Sequence, residues 1–187
     1  MNAKDHDTIR SENSSARAFV VMGVSGCGKS SIGATVARAL GGTFIDGDAL
    51  HPASNIAKMA RGEPLNDADR APWLIEVGKA LAQHDETTLI ACSALKRQYR
   101  DAIAQAAGKH VTYLFLEGSP EVIAKRLANR EGHFMPAALL ASQFETLQPP
   151  TPPEDAITVD IDQPFDAVVQ DLLAGIHETS RTGTAPR

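Results

Sequence analysis

Gly23-Val24-Ser25-Gly26-Cys27-Gly28-Lys29-Ser30 satisfies the pattern G-x-x-x-x-G-K-S/T at every fixed position. Its flanks are the ones that pattern requires. Ahead of it, Ala18-Phe19-Val20-Val21-Met22 is a short apolar run, β-branched and aromatic, that reads as a buried strand. Behind it, Ile32, Val36 and Leu40 fall at helix period, and Gly41-Gly42 ends the run. Strand, glycine-rich turn and helix in that order make a phosphate cradle. The glycines let successive N–H groups converge on one anion, and the helix start adds its positive end. Lys29 supplies a mobile charge for β- and γ-phosphates, and the Ser30 hydroxyl supplies a ligand for Mg2+. Gly23, Val24, Ser25, Gly26, Cys27, Gly28, Lys29, Ser30 and the adjoining Ser31 form the candidate nucleotide-binding set.

Working outward, further short apolar runs stand at Thr43-Phe44-Ile45, Thr88 to Cys92, Val111 to Leu116 and Ile157-Thr158-Val159. Helical patterns separate them. Leu74, Val77 and Leu81 mark one, and Leu140, Phe144 and Leu147 mark another. Ser119-Pro120 opens a helix carrying Ile123 and Leu127, and Pro164 opens the last, with Val168, Leu172 and Ile176 inward. Strands alternating with helices predict an α/β domain whose parallel sheet is covered on both faces. The polar stretch from His51 to Arg70 is too long for a plain loop and predicts short helices over the site. Gln148 to Pro153 reads as a stiff surface connector.

The phosphate loop does not by itself choose between switch, motor and kinase. The chain has no Asn-Lys-x-Asp base-reading motif and no Asp-x-x-Gly switch motif. The third strand ends in Cys92-Ser93, where a mechanical ATPase would place its magnesium carboxylate. The nearest carboxylates are Asp46 and Asp48, at the end of the second strand, where open parallel sheets bind ligands. Two apart in an extended chain, they would point the same way. One would hold magnesium through water and the other would accept a proton from an attacking alcohol. On local sequence alone, Asp46-Gly47-Asp48 is equally a solvated turn that caps a helix.

A dense polar cluster follows: His51, Asn55, Lys58, Asn66, Asp67, Asp69 and Arg70, then Trp73. A solvated face would have this composition. So would a site for a polyhydroxylated acid, with amides and carboxylates on hydroxyls and cations on the carboxylate. Lys96 and Arg100 lie four apart after the third strand, as candidate clamps for an anion on one helical face. His51 has no second histidine at metal-ligand spacing. Lys125-Arg126 through Arg130 to Gly132-His133-Phe134 reads either as a basic helix end or as a hinged lid, about residues 126–138, closing arginine onto the phosphate.

The 187 residues suit one domain, with 43% hydrophobic and 22% charged residues. A net charge of -5 disfavours nucleic acid as a partner, and no apolar stretch approaches a membrane span. Cys27 and Cys92 cannot build a disulfide framework, which agrees with a reducing compartment, the cytoplasm. Residues 1–17 and 179–187 read as a flexible leader and tail around a domain at 18–178.

Several blocks together resemble bacterial gluconokinase: the phosphate loop, Asp46 to Pro52, Asn55 to Met59, Gly62 to Arg70, Pro72-Trp73-Leu74, Cys92-Ser93-Ala94-Leu95-Lys96, Gly132-His133-Phe134 and Gln143 to Leu147. The likeness runs from about Phe19 to Ile176. It implies the P-loop NTPase fold shared with shikimate and adenylate kinases: a five-stranded parallel sheet, a helical substrate-binding insert at about 49–72 and a lid. It implies phosphorylation of D-gluconate to 6-phospho-D-gluconate by ATP with Mg2+, and a homodimer. By the same resemblance Asp48 is the base on the acceptor hydroxyl and Asp46 acts on magnesium. Arg126 stacks on adenine, and Arg130 is the lid arginine that completes the catalytic set with Lys29 and Asp48. His51, Asn55, Lys58, Arg70, Lys96 and Arg100 are the expected substrate contacts beside Asp48. The rivals are a kinase of another small hydroxy acid, such as shikimate, and a non-catalytic ATP-binding module.

Overall fold

The run Ala18–Met22 forms strand β1, and each of its five side chains is buried. Alternation sends them to two different cores. Phe19 and Val21 join Ile32 and Val36 of helix α1 (Lys29–Ala39), Leu114 and Leu116 of strand β4 (Val111–Glu117), and Val168, Leu172 and Ile176 of helix α7 (Phe165–Thr182). Val20 and Met22 join Trp73, Leu74, Val77 and Leu81 of helix α3 (Asp67–Gln83) and Tyr99 and Ile103 of helix α4 (Arg97–Ala107). Each large apolar side chain buried in these layers contributes roughly 1.5–3 kcal/mol. This two-faced burial explains why the strands read as continuous apolar runs rather than alternating ones.

The computed structural model describes residues 16–128 and 137–182. The remaining elements are β2 (Thr43–Asp46), α2 (Ala53–Ala60), β3 (Thr88–Ala91), α5 (Pro120–Ala128), α6 (Ala137–Thr146) and β5 (Ala156–Asp160). The strands form one five-stranded sheet in the order β2-β3-β1-β4-β5, and every pairing is parallel. Among the described residues no helix is long and apolar enough to cross a membrane.

The carboxyl ends of β1, β2 and β3 lie side by side. Met22 leads into the phosphate loop, Asp46 into a 3-10 turn at Gly47–Leu50, and Ala91 into Cys92-Ser93. The loop after β3 is tied to the phosphate loop, because the Gly23 amide donates to the Ser93 carbonyl at 3.3 Å. The stretch from His51 to Arg70 contains α2 and the start of α3. The proline-rich connector lies largely at the surface and is anchored at both ends. The Gln148 amide donates to the Leu95 carbonyl at 2.8 Å, the Gln148 side chain accepts from the Arg97 amide, and Glu154 reaches Arg100.

Candidate active site

The phosphate loop leaves β1 at Gly23, whose φ of 143° is open only to glycine at low cost. A Cβ there would stand 2.8 Å from both the Cys27 sulfur and the Leu116 carbonyl oxygen. The loop curls back on itself through the Cys27 amide, which donates to the Val24 carbonyl at 3.3 Å. Gly28, left-handed at φ 99°, starts α1. The Lys29 ammonium folds over the loop and donates to the Gly23 and Val24 carbonyls at 3.0 and 3.1 Å. Cys27 is buried beneath the loop, so its side chain serves packing while its backbone serves the curl. The Ser31 hydroxyl turns back to the Gly28 carbonyl at 3.3 Å. Arg126 reaches the loop from α5, donating to the Cys27 carbonyl at 3.4 Å and to the Ile161 carbonyl.

The Ser30 hydroxyl donates to the Asp46 carboxylate at 3.4 Å, so the loop and the end of β2 meet. Two hard oxygen donors here suit magnesium, which keeps most of its shell as water and substrate phosphate. Among the described residues no larger cluster of metal-ligating side chains occurs.

Asp46 and Asp48 do not share a face by strand alternation, as expected for an extended chain. The chain turns at once into the 3-10 segment, and the second oxygen of Asp46 accepts the Asp48 amide at 3.1 Å. The cause lies in Gly47. It is pressed so close to β3 that a Cβ would sit 2.2 Å from the Ala91 carbonyl oxygen, and the Trp73 indole N–H holds its carbonyl at 2.8 Å. Among the described residues, no hydrogen bond or ion pair engages the exposed Asp48 carboxylate. The charges of Lys29 and Asp48 both reach the Cys92 thiol just beyond β3, Lys29 favouring its ionisation and Asp48 opposing it. Burial above all pushes that thiol up to about 12, so it stays neutral.

The polar cluster largely satisfies itself. Asn66 and Asp69 form a reciprocal capping box that starts α3. Lys58 donates to Asp69 at 2.6 Å. That hydrogen bond, with the Asn66 amide second, holds the Asp69 carboxyl below its ordinary range. Asn55 is buried, donates to the Asp69 carbonyl at 2.9 Å and touches the His51 ring nitrogen. His51 stacks on Trp73 with ring centroids 4.1 Å apart. Its pKa is lowered, mainly by burial, with Asp48 opposing and Arg70 adding to the effect. Arg70 donates to the Leu65 carbonyl at 2.5 Å and lies over the Tyr99 ring.

Lys96 does not share a helical face with Arg100. Its backbone is extended, at φ -100° and ψ 148°, and it precedes α4 as the cap. Its ammonium reaches both Asp67 oxygens, at 2.9 and 2.8 Å. Asp67 also accepts from Gln98 and Tyr99, and the Lys96 and Tyr99 bonds hold its carboxyl at about 2. The expectation that Arg100 clamps an anionic substrate is corrected. Arg100 is 1% exposed, and its guanidinium pairs with both oxygens of Glu154, at 2.5 and 3.1 Å. It also donates to the Ala94 carbonyl at 3.0 Å. Ala94 has a φ of 44°, rare for a residue with a side chain, and Arg100 holds the loop after β3 in that shape. Arg130 and most of the expected lid lie outside the described residues.

Sequence reasoning misses two residues of the site, Asp67 and Gln143. The signals that could find them are the polar cluster for Asp67 and the Gln143 to Leu147 block for Gln143. Gln143 contacts Ser25 of the phosphate loop across 118 positions, a distance no local pattern spans.

A family model described as an AAA domain matches residues 19–150. The thermoresistant gluconokinase of Escherichia coli is 47% identical over 159 residues, covering 83% of this chain and 90% of that protein. The crystal structure of a gluconokinase from Sinorhizobium meliloti aligns with a TM-score of 0.83 at 47% identity, covering 89% of this chain and 94% of that one. An APS kinase of Mycobacterium tuberculosis aligns at a TM-score of 0.62 and 19% identity, over 87% of this chain and 98% of that one, a likeness of fold alone.

Proposed function

The chain belongs to the gluconokinase family, and from that premise we propose how its own residues divide the work of phosphorylating D-gluconate with ATP. The reaction forms a bond between a gluconate hydroxyl oxygen and the γ-phosphorus, and breaks the bond to the β–γ bridging oxygen. ADP leaves, and the hydroxyl proton goes to a base.

Phosphoryl transfer needs little covalent chemistry from the protein, so positioning and charge neutralisation dominate. Lys29 sits at the Gly23–Val24 end of the loop and neutralises charge on the β- and γ-phosphates. The free loop amides and the start of α1 hold the phosphate tail. Ser30 and Asp46 are the residues that would hold Mg2+, which supplies charge neutralisation on the phosphates when bound.

Asp48 is the base. One observation carries this role: of the four aspartates around the crevice, Asp46, Asp67 and Asp69 are engaged by protein donors, while Asp48 is not. Its oxygens remain available to an incoming hydroxyl. His51 after the 3-10 turn, Lys58 of α2 and Arg70 of α3 flank the proposed acceptor site with buried Asn55 of α2 behind them, and Lys96 joins them from the cap of α4. Their mutual bonds pre-set the wall of the acceptor site. Arg126 flanks the loop on the nucleotide side, and Arg130 is proposed to close over the transferring phosphate. A cytoplasmic location agrees with two buried, unpaired thiols, and a homodimer is the assembly the resemblance supports. Coupled ADP release with gluconate as acceptor, compared with shikimate and other sugar acids, tests the reading.

A further inference from the structure

Gln143 of α6 holds Ser25 with both ends of its amide. Its Oε1 accepts the Ser25 backbone N–H at 2.7 Å, and its Nε2 donates to the Ser25 hydroxyl oxygen at 3.1 Å. The backbone N–H can only donate, so the amide orientation is fixed and the nitrogen must face the hydroxyl.

Two consequences follow from the donor inventory. The Ser25 amide is withdrawn from phosphate binding, whereas no protein acceptor takes the amides of Gly26 or Gly28 among the described residues. The Ser25 oxygen, already an acceptor, keeps its own proton free to donate elsewhere. Where that proton can go is set by Lys29. Its ammonium lies at the carbonyls of Gly23 and Val24, the two residues before Ser25. This lysine type reaches the β- and γ-phosphates, so Ser25 stands at the γ end of the cradle.

We infer that Gln143 is a positioning residue that aims the Ser25 hydroxyl at the γ-phosphate and thereby makes the site favour ATP over ADP. The inference rests on the kinase reading of the loop and adds a nucleotide-discriminating element to it. Glutamate at this position would still accept the Ser25 amide. It would also draw the Ser25 hydroxyl proton to itself and set a negative charge beside the γ-phosphate.

The test measures dissociation constants of the β,γ-imido analogue of ATP and of ADP, each with Mg2+, for the full chain and for Gln143→Glu and Ser25→Ala. Each substitution is expected to weaken the triphosphate by about tenfold or more and ADP by less than about threefold, the loss of one hydrogen bond to a charged group. Equal weakening of both nucleotides, or of neither, overturns the inference. Ser25→Ala keeps the amide bond to Gln143 and decides the matter alone if Gln143→Glu does not fold. Gluconate-dependent ADP release by the unaltered protein is measured in parallel. Its absence would count against the gluconokinase reading while leaving the nucleotide comparison intact.

Discussion

The Ser30 hydroxyl donates to the Asp46 carboxylate across 3.4 Å, joining the first turn of α1 to the end of β2. Asp46→Asn keeps the size and the cap on the 3-10 turn but removes the one side-chain negative charge that the Ser30–Asp46 pair offers a divalent cation. We expect the Mg2+ concentration for half-maximal activity to rise by about tenfold, with folding unchanged. A magnesium titration at fixed ATP checks this. An unchanged midpoint would remove Asp46 from the metal site.

Asp48→Asn deletes the base while sparing the loop. The expected outcome is a fall in kcat of roughly 10²-fold or more with ATP affinity within about threefold. Steady-state kinetics on both substrates separate the two effects. If ATP affinity fell and kcat did not, Asp48 would be reassigned to the metal.

Gly47→Ala would push a methyl group against the Ala91 carbonyl, 2.2 Å from the built Cβ. Neither backbone can yield without parting β2 from β3. We expect a loss of more than about 2 kcal/mol in stability, read by chemical denaturation, together with lost activity. A fully stable variant would show that the turn is not locked as described.

The buried Arg100–Glu154 pair makes stability depend on acid. The hydrogen bond from Arg100 lowers the Glu154 pKa below its ordinary value. A depressed carboxyl contributes stability that is fully present above the unfolded pKa, and that contribution is lost as pH falls through the folded value. Melting curves from neutral pH downward should show the wild type losing stability in the acid range. Glu154→Gln should start less stable and fall less steeply. Parallel curves would deny the pair this role.

The fold was legible because burial on both sheet faces leaves continuous apolar runs, and the phosphate loop fixed the place of the site. The misreadings have physical causes. Strand alternation was applied to Asp46 and Asp48 past the point where Gly47 bends the chain. Helical spacing was applied to Lys96, which is an extended cap, and so put Arg100 in the crevice when it belongs under it. Glu154, just past the Gln148–Pro153 connector, pairs with Arg100 across 54 positions. Gln143 meets Ser25 from a still more remote helix. Contacts of that range leave no periodic trace in the chain.

The central claim is tested most directly by purified protein, ATP, Mg2+ and D-gluconate in a coupled ADP-release assay, with the product identified by mass. The account predicts ADP and 6-phosphogluconate in equal amounts, and far slower turnover on shikimate. Nucleotide binding without gluconate-dependent ADP release, or faster turnover on another acid, would contradict it.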